Sequence, residues 1–194
     1  MKLRQSGMPE ENYWETLFDV PLILDRLEIN DTLRDVVELG CGYGTFSLPV
    51  AKRISGRLVT YDIDPDMVER TQSRALQDGV VKIQTCLRDV FSEGFDVASD
   101  TQDACLLFNI LHCENPVSIL KEGLRVIRPD GFIHVIHWQY DSTTPRGPSM
   151  DIRPRPEHCQ EWALQAGLVP IPTEVIDLPP FHYGLVFTKS GFQV

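Results

Sequence analysis

Val36-Val37-Glu38-Leu39-Gly40-Cys41-Gly42-Tyr43-Gly44 decides how the rest of the chain is read. A strand candidate, Asp35 to Leu39, runs straight into a turn that three alternate glycines keep free of side chains, so a flat or extended ligand can lie against the backbone. An amphipathic helix follows, with Phe46, Val50 and Ile54 at i, i+4 and i+8 and Pro49 confined to its early turns. In an open α/β sheet such a strand-turn-helix junction lies at the carboxyl ends of the strands, where ligands bind at the point where strand order reverses.

The same rhythm of apolar run and amphipathic stretch continues outward from this unit. Strands are expected at 57–62, 80–84, 104–108 and 132–138. Asp64-Pro65 and Asn115-Pro116 supply an N-cap and a first-turn proline to the helices that follow them. Pro129-Asp130-Gly131 reads as a tight turn into the fifth strand. Residues 139–156, with four prolines and three arginines, cannot continue a strand or a long helix and read as an ordered loop. A helix over 156–166 and two β runs, 175–178 and 185–188, close the chain. Their join is too short for a crossover helix, so that last pair is antiparallel. The seven runs make an α/β fold with a mostly parallel seven-stranded sheet and an antiparallel C-terminal strand.

The 194 residues fit one domain, with 1–33 a helical lid or packing segment and 34–194 the core. Eighteen Lys and Arg against 28 Asp and Glu give a formal charge of −10, the wrong sign for nucleic acid or an anionic membrane. The start, Met1 to Gly7, lacks the apolar core of a signal peptide, and no apolar run nears the ~20 residues of a membrane span, so the expectation is a cytoplasmic protein. Five scattered cysteines (41, 86, 105, 113 and 159) follow no zinc spacing and read as reduced thiols, with no metal.

Asp62 ends the second strand, 18 residues after Gly44, where a carboxylate can accept both hydroxyls of a ribose. Dinucleotide sites space their glycines G-x-G-x-x-G, whereas here the spacing is G-x-G-x-G. A negative Glu38 beside the loop would repel a pyrophosphate but suits a ligand bearing an amino group and a sulfonium.

These residues resemble the class I S-adenosylmethionine-dependent methyltransferases, whose first motif reads E/D-x-G-x-G-x-G after the first strand. The resemblance implies a Rossmann-like three-layer sandwich with S-adenosylmethionine as cofactor. Its cofactor residues would be Glu38, Gly40, Cys41, Gly42 and Gly44 in the loop and Asp62, Ile63 and Met67 in the second-strand segment. Asp89 and Val90 would lie beside the adenine, and Phe108 and Asn109 at the fourth-strand exit. Leu124 to Gly131 is similar to the family's L-R-x-L-K-P-G-G turn, with Asp130 at its first glycine.

The D/N-P-P-Y/F quartet that holds planar nitrogens is absent, and Phe108-Asn109-Ile110-Leu111-His112 is similar to segments of small-molecule methyltransferases. His112 is the candidate base; packing and capping of the following helix is its other reading. His134 and His137, three apart on a strand, face opposite ways and cannot share a metal. The substrate side is expected to draw on His137 and Trp138, on Arg146 and Arg153 as a clamp for an acidic group, and on Tyr13 and Trp14. The segment holding Tyr13 and Trp14, a helix opening at Pro9, would be a lid, packing on the sheet, or the contact of a homodimer. The unbroken motifs favour an enzyme acting on a small molecule over a non-catalytic S-adenosylmethionine sensor or a nicotinamide-dependent reductase.

Overall fold

After Asp35, every residue of β1 (Asp35–Leu39) is buried, as a central parallel strand requires. Val37 and Leu39 enter one core and Val36 the other, so the strand divides two helical layers. Hiding such a side chain from water stabilises the fold by roughly 1.5–3 kcal/mol. The computed structural model describes residues 8–171 and 174–189; Ser6 and Gly7 of the N-terminal segment lie outside them.

Helices α1 (Glu11–Glu15) and α2 (Val20–Arg26) precede β1. The repeating units follow as α3 (Ser47–Arg53), β2 (Arg57–Asp62), α4 (Pro65–Gln77), β3 (Ile83–Leu87), α5 (Val90–Glu93), β4 (Gln102–Phe108), α6 (Pro116–Val126) and β5 (Ile127–Trp138). The chain closes with α7 (Pro156–Ala166), β6 (Leu168–Pro170), β7 (Ile176–Leu178) and β8 (His182–Lys189). The strand order is β3-β2-β1-β4-β5-β8-β6, with β7 also beside β8. Strands β1 to β5 are parallel and β8 runs antiparallel to β5. Helices α2 and α3 pack on one face, and α6 and α7 on the other.

The caps work as their residue types require: the Asp64 side chain accepts from Asp66 N and that of Asn115 from Ser118 N, each just before a proline.

The structure corrects four local expectations. The third strand is Ile83–Leu87, not 80–84, because Val80 N closes the end of α4 on Ala75 O and leaves Val81 90% exposed. Pro129-Asp130-Gly131 lies within β5 as a bulge: Gln102 faces Ile127 and Ala104 faces Phe132, so the residues between have no partners across the ladder. The first helix begins at Glu11 rather than Pro9. Among the described residues the sheet counts eight strands rather than seven, since β6 and β7 pair with opposite ends of β8.

Candidate functional site

Strand order reverses between β1 and β4, and the carboxyl ends of β1 to β4 bring the loop glycines, Asp62, Asp89 and Asn109 to one edge of the sheet. The three glycines all take left-handed φ, at 87°, 51° and 79°, but serve different ends. A Cβ on Gly44 would lie 2.5 Å from Leu48 Cδ1 and 3.2 Å from Thr71 Oγ1, so this glycine serves packing, whereas one on Gly40 would meet the tip of Ile110 at 3.1 Å. On Gly42 it would meet, among the described residues, only the tip of Met8, 3.2 Å away, so the open side of the loop is at Gly42.

Neighbouring elements hold the loop taut. Gly40 N donates to Tyr61 O (2.7 Å), and Thr71 Oγ1 donates to Gly42 O (2.9 Å). Asp62 accepts from Gly42 N at 3.1 Å and, through its other oxygen, from Asp64 N at 3.0 Å. Each carboxylate oxygen has a further lone pair, so a diol can still bind. Burial pushes the Glu38 carboxyl up to about 7, opposed by hydrogen bonds, of which that from Ser47 Oγ is 2.5 Å. Burial and the charge of Asp62 also push the Cys41 thiol up, so it is an inert filler here.

Past β2, Ile63 is 41% exposed and offers an apolar face, with Met67 half-buried in the first turn of α4. Asp89 caps α5 by accepting from Phe91 N, and Val90 behind it is buried. At the β4 exit Phe108 meets Phe46 edge-on at 5.1 Å. Asn109 holds φ 58°, in the left-handed region that asparagine tolerates better than most side chains, and its buried Oδ1 has no partner among the described residues. A buried amide oxygen at the mouth of a glycine cradle fits a ligand that donates a hydrogen bond.

The expected substrate residues fall into two groups. At the ends of β4 and β5 the His112 and His137 rings meet edge-on at 5.5 Å on one face of the sheet, while Trp138, the next residue of β5, turns to the other face and meets Trp14 edge-on at 6.3 Å. Trp138 N donates to His137 Nδ1 (3.0 Å), so the proton of the neutral ring is on Nε2, which is buried without a partner among the described residues. Burial, with His112 adding to it, holds His137 well below its ordinary pKa. His182 stacks on Phe18 at 4.4 Å and is pushed down to about 3 by burial. His134 is also buried and is pushed down to about 4. Tyr13 stays 44% exposed.

Arg153 and Arg146 stand apart from that group. Arg153 is buried and turned into its own loop, where it donates to the carbonyls of Gln139, Asp141, Arg146 and Pro148 and to Thr144 Oγ1. No N–H of its fork is left for a clamp on an acidic substrate, so the geometry makes it the staple of residues 139–153. Arg146 is half-buried beside an open cavity of about 310 Å³ that Ser142, Thr144, Ser149 and Met150 also line. Among the described residues no group of three or more His, Cys, Asp and Glu can hold a metal, and no helix is long and apolar enough to cross a membrane.

Sequence reading missed the contacts of the N-terminal segment. Tyr43 Oη donates to Pro9 O (2.9 Å). Glu11 takes two hydrogen bonds from Arg70 (2.7 and 3.0 Å) and one from Arg74 (3.0 Å). Arg74 also reaches Glu15 and Tyr43 O. The visible signal was the matched i, i+4 spacing of Glu11 with Glu15 and of Arg70 with Arg74.

A methyltransferase-domain family matches residues 36–131, the stretch that carries β1 to β4 and the glycine loop. Nocamycin O-methyltransferase of Saccharothrix syringae is 30% identical over 106 residues, 51% of this chain and 36% of that protein. An uncharacterised Mycobacterium tuberculosis protein is 28% identical over 119 residues, 61% of this chain and 42% of that one. The chain thus spans less than half the length of these curated relatives. A solved S-adenosylmethionine-dependent methyltransferase from Aquifex aeolicus superposes with a TM-score of 0.79 at 18% identity, covering 92% of this chain and 93% of the other. With the G-x-G-x-G turn, the acidic end of β2 and the reversal of strand order in place, the chain belongs to the class I S-adenosylmethionine-dependent methyltransferases.

Proposed function

We propose that the protein methylates a hydroxyl of a small molecule, with S-adenosylmethionine as donor. The observation that carries the donor site is the pairing of Gly42 with Asp62: a backbone open on one side, and a carboxylate fixed beside it by two amide hydrogen bonds. Bound there, S-adenosylmethionine would supply a methyl group on a cationic sulfur. The chain's own part is to seat the ribose on Asp62, to offer Asn109 Oδ1 and Glu38 to the amino-acid end, and to flank the adenine with Ile63, Met67, Asp89 and Val90.

Much of the rate of such an in-line displacement comes from alignment and exclusion of water, which suits the aromatic wall of Trp14, Phe46, Phe108 and Trp138. His112 receives the proton of the acceptor hydroxyl. A neutral His137 at its edge adds no charge to oppose that step. The nocamycin enzyme's chemistry supports an oxygen acceptor of small size, and the formal charge of −10 opposes nucleic acid. Arg146, with its cavity, remains the place for a polar group of the acceptor.

Formation of S-adenosylhomocysteine against a panel of small phenols, alcohols and hydroxy acids tests this reading. Turnover with a hydroxyl acceptor, lost in His112→Gln with donor affinity kept, is the expected result. Donor binding without turnover on any acceptor would make the protein a sensor, and binding of NADH in place of S-adenosylmethionine would overturn the donor itself.

A further inference from the structure

Among the described residues, the neighbour on the open side of Gly42 comes from outside the βα unit. A Cβ on that glycine would lie 3.2 Å from Met8 Cε and 3.7 Å from Met8 Sδ, so a thioether chain fills the cradle that the glycine leaves. Two contacts keep it there. Tyr43, the residue after Gly42, donates its hydroxyl to Pro9 O, and the Glu11 carboxylate bridges Arg70 and Arg74. Arg74 then donates to Tyr43 O at 2.8 Å, which ties the ion-pair cluster to the glycine loop itself. Below α1 the chain is anchored by Leu17 and Phe18, both buried, whereas Tyr13 and Met8 are exposed by about two fifths.

We propose that residues 8–15 form an autoinhibitory strap: Met8 occupies the place that the methionine portion of the donor must take, and the Glu11–Arg70–Arg74 clasp sets how often that place is open. This rests on S-adenosylmethionine being the donor. The Met8 side chain and the donor's methionine portion cannot share the space over one glycine, so donor entry and strap release are coupled. Trp14, at the end of the strap, lies 6.3 Å from Trp138 and edge-on to it, so release also uncovers part of the aromatic wall on the acceptor side. The clasp is partly exposed, with side-chain exposures of 21% for Glu11, 24% for Arg74 and 44% for Arg70. Salt therefore screens it and favours the open strap.

Stopped-flow fluorescence of Trp14 and Trp138, with S-adenosylhomocysteine as the probe and the full chain throughout, reads the coupling directly. Glu11→Gln and Met8→Ala are each expected to raise the association rate by about threefold to tenfold, since a larger fraction of molecules is open. The wild-type rate should rise between about 0.05 and 0.5 M salt, and Glu11→Gln should lose most of that dependence. Circular dichroism confirms that both variants fold. Unchanged rates in both, or weaker binding in both, would overturn the strap as an inhibitor; weaker binding would make it a clamp on the bound donor. Failure of the folded wild type to bind the probe in calorimetry would instead overturn the donor assignment, and the strap with it.

Discussion

Two loops leave the carboxyl edge of the sheet, one after β1 and one after β5, and they are held by opposite means. Residues 40–44 keep their shape because Gly40, Gly42 and Gly44 have no side chains to prevent it, and because the backbone of β2 and the side chains of Asp62 and Thr71 tie them down. Residues 139–153 keep theirs because one side chain, Arg153, gathers oxygens from five residues of the same loop. The first loop is specified by local residue types at fixed spacing and suits a ligand common to a whole family. The second is specified by a single long side chain rather than by a pattern of residue types.

The largest effects should come from the glycines. Gly44→Val adds left-handed strain to a clash with Leu48 and should cost roughly 3–5 kcal/mol of stability, seen as a fall in thermal midpoint. Gly42→Val carries the same left-handed strain but meets only the tip of Met8 among the described residues, so it should cost less stability than Gly44→Val while losing at least about tenfold in donor affinity by calorimetry. If the two glycines exchange these phenotypes, the division between packing and ligand roles is wrong. Asp62→Ala should weaken donor binding by roughly 1.5–3 kcal/mol, the range for hydrogen bonds to a charged group. A folded variant of unchanged affinity would remove Asp62 from the site.

Arg153→Met sharpens the comparison from the other side. It should lower stability by about 2 kcal/mol and raise the acceptor KM, with donor affinity nearly unchanged. Loss of donor affinity instead would show the two loops to be one unit. Glu38 gives a smaller, pH-graded effect. Its carboxyl is raised from 4.5 to about 7 in the folded chain, so the native state binds the proton more tightly than the unfolded one. Its contribution to stability is present below pH 4.5 and is lost as pH rises toward 7, at up to about 1.4 kcal/mol per pH unit. A cationic donor favours the ionised form, so donor affinity should rise through neutral pH, and Glu38→Gln should flatten both profiles. The smallest effect is Val81→Lys: outside β3 and 90% exposed, it should shift stability by no more than about 0.5 kcal/mol. A larger loss would return Val81 to the strand.

The strand-turn-helix frame around the glycine loop was legible because its instructions are short-range. The Asp35–Leu39 run, the alternate glycines, the Asp64-Pro65 cap and Asp62 each carry their meaning within a few residues, and β1, β2 and α7 have the boundaries read from the sequence. Where reading failed, a distant partner decided. Val80-Val81 has the apolar character of a strand, but Val80 is taken up in closing α4. Leu168-Val169-Pro170 is too short to announce itself and is a strand only because β8 lies beside it. Arg153 has the composition of a substrate clamp; its loop folds around it and takes its donors. Met8 over Gly42 joins residues 34 positions apart, and no local pattern encodes that contact.

The divided last position of the sheet has a consequence for how the protein keeps its own copies apart. A long outer strand offers a row of unpaired amides and carbonyls on which another chain can extend the sheet. Here that border consists of β6 and β7, three residues each, and β6 ends on Pro170, which has no N–H to give. Neither piece is long enough to template an incoming strand. The side of the sheet built from the most irregular part of the chain is thereby protected from aggregation through strand addition, at the cost of a broken strand in place of a continuous one.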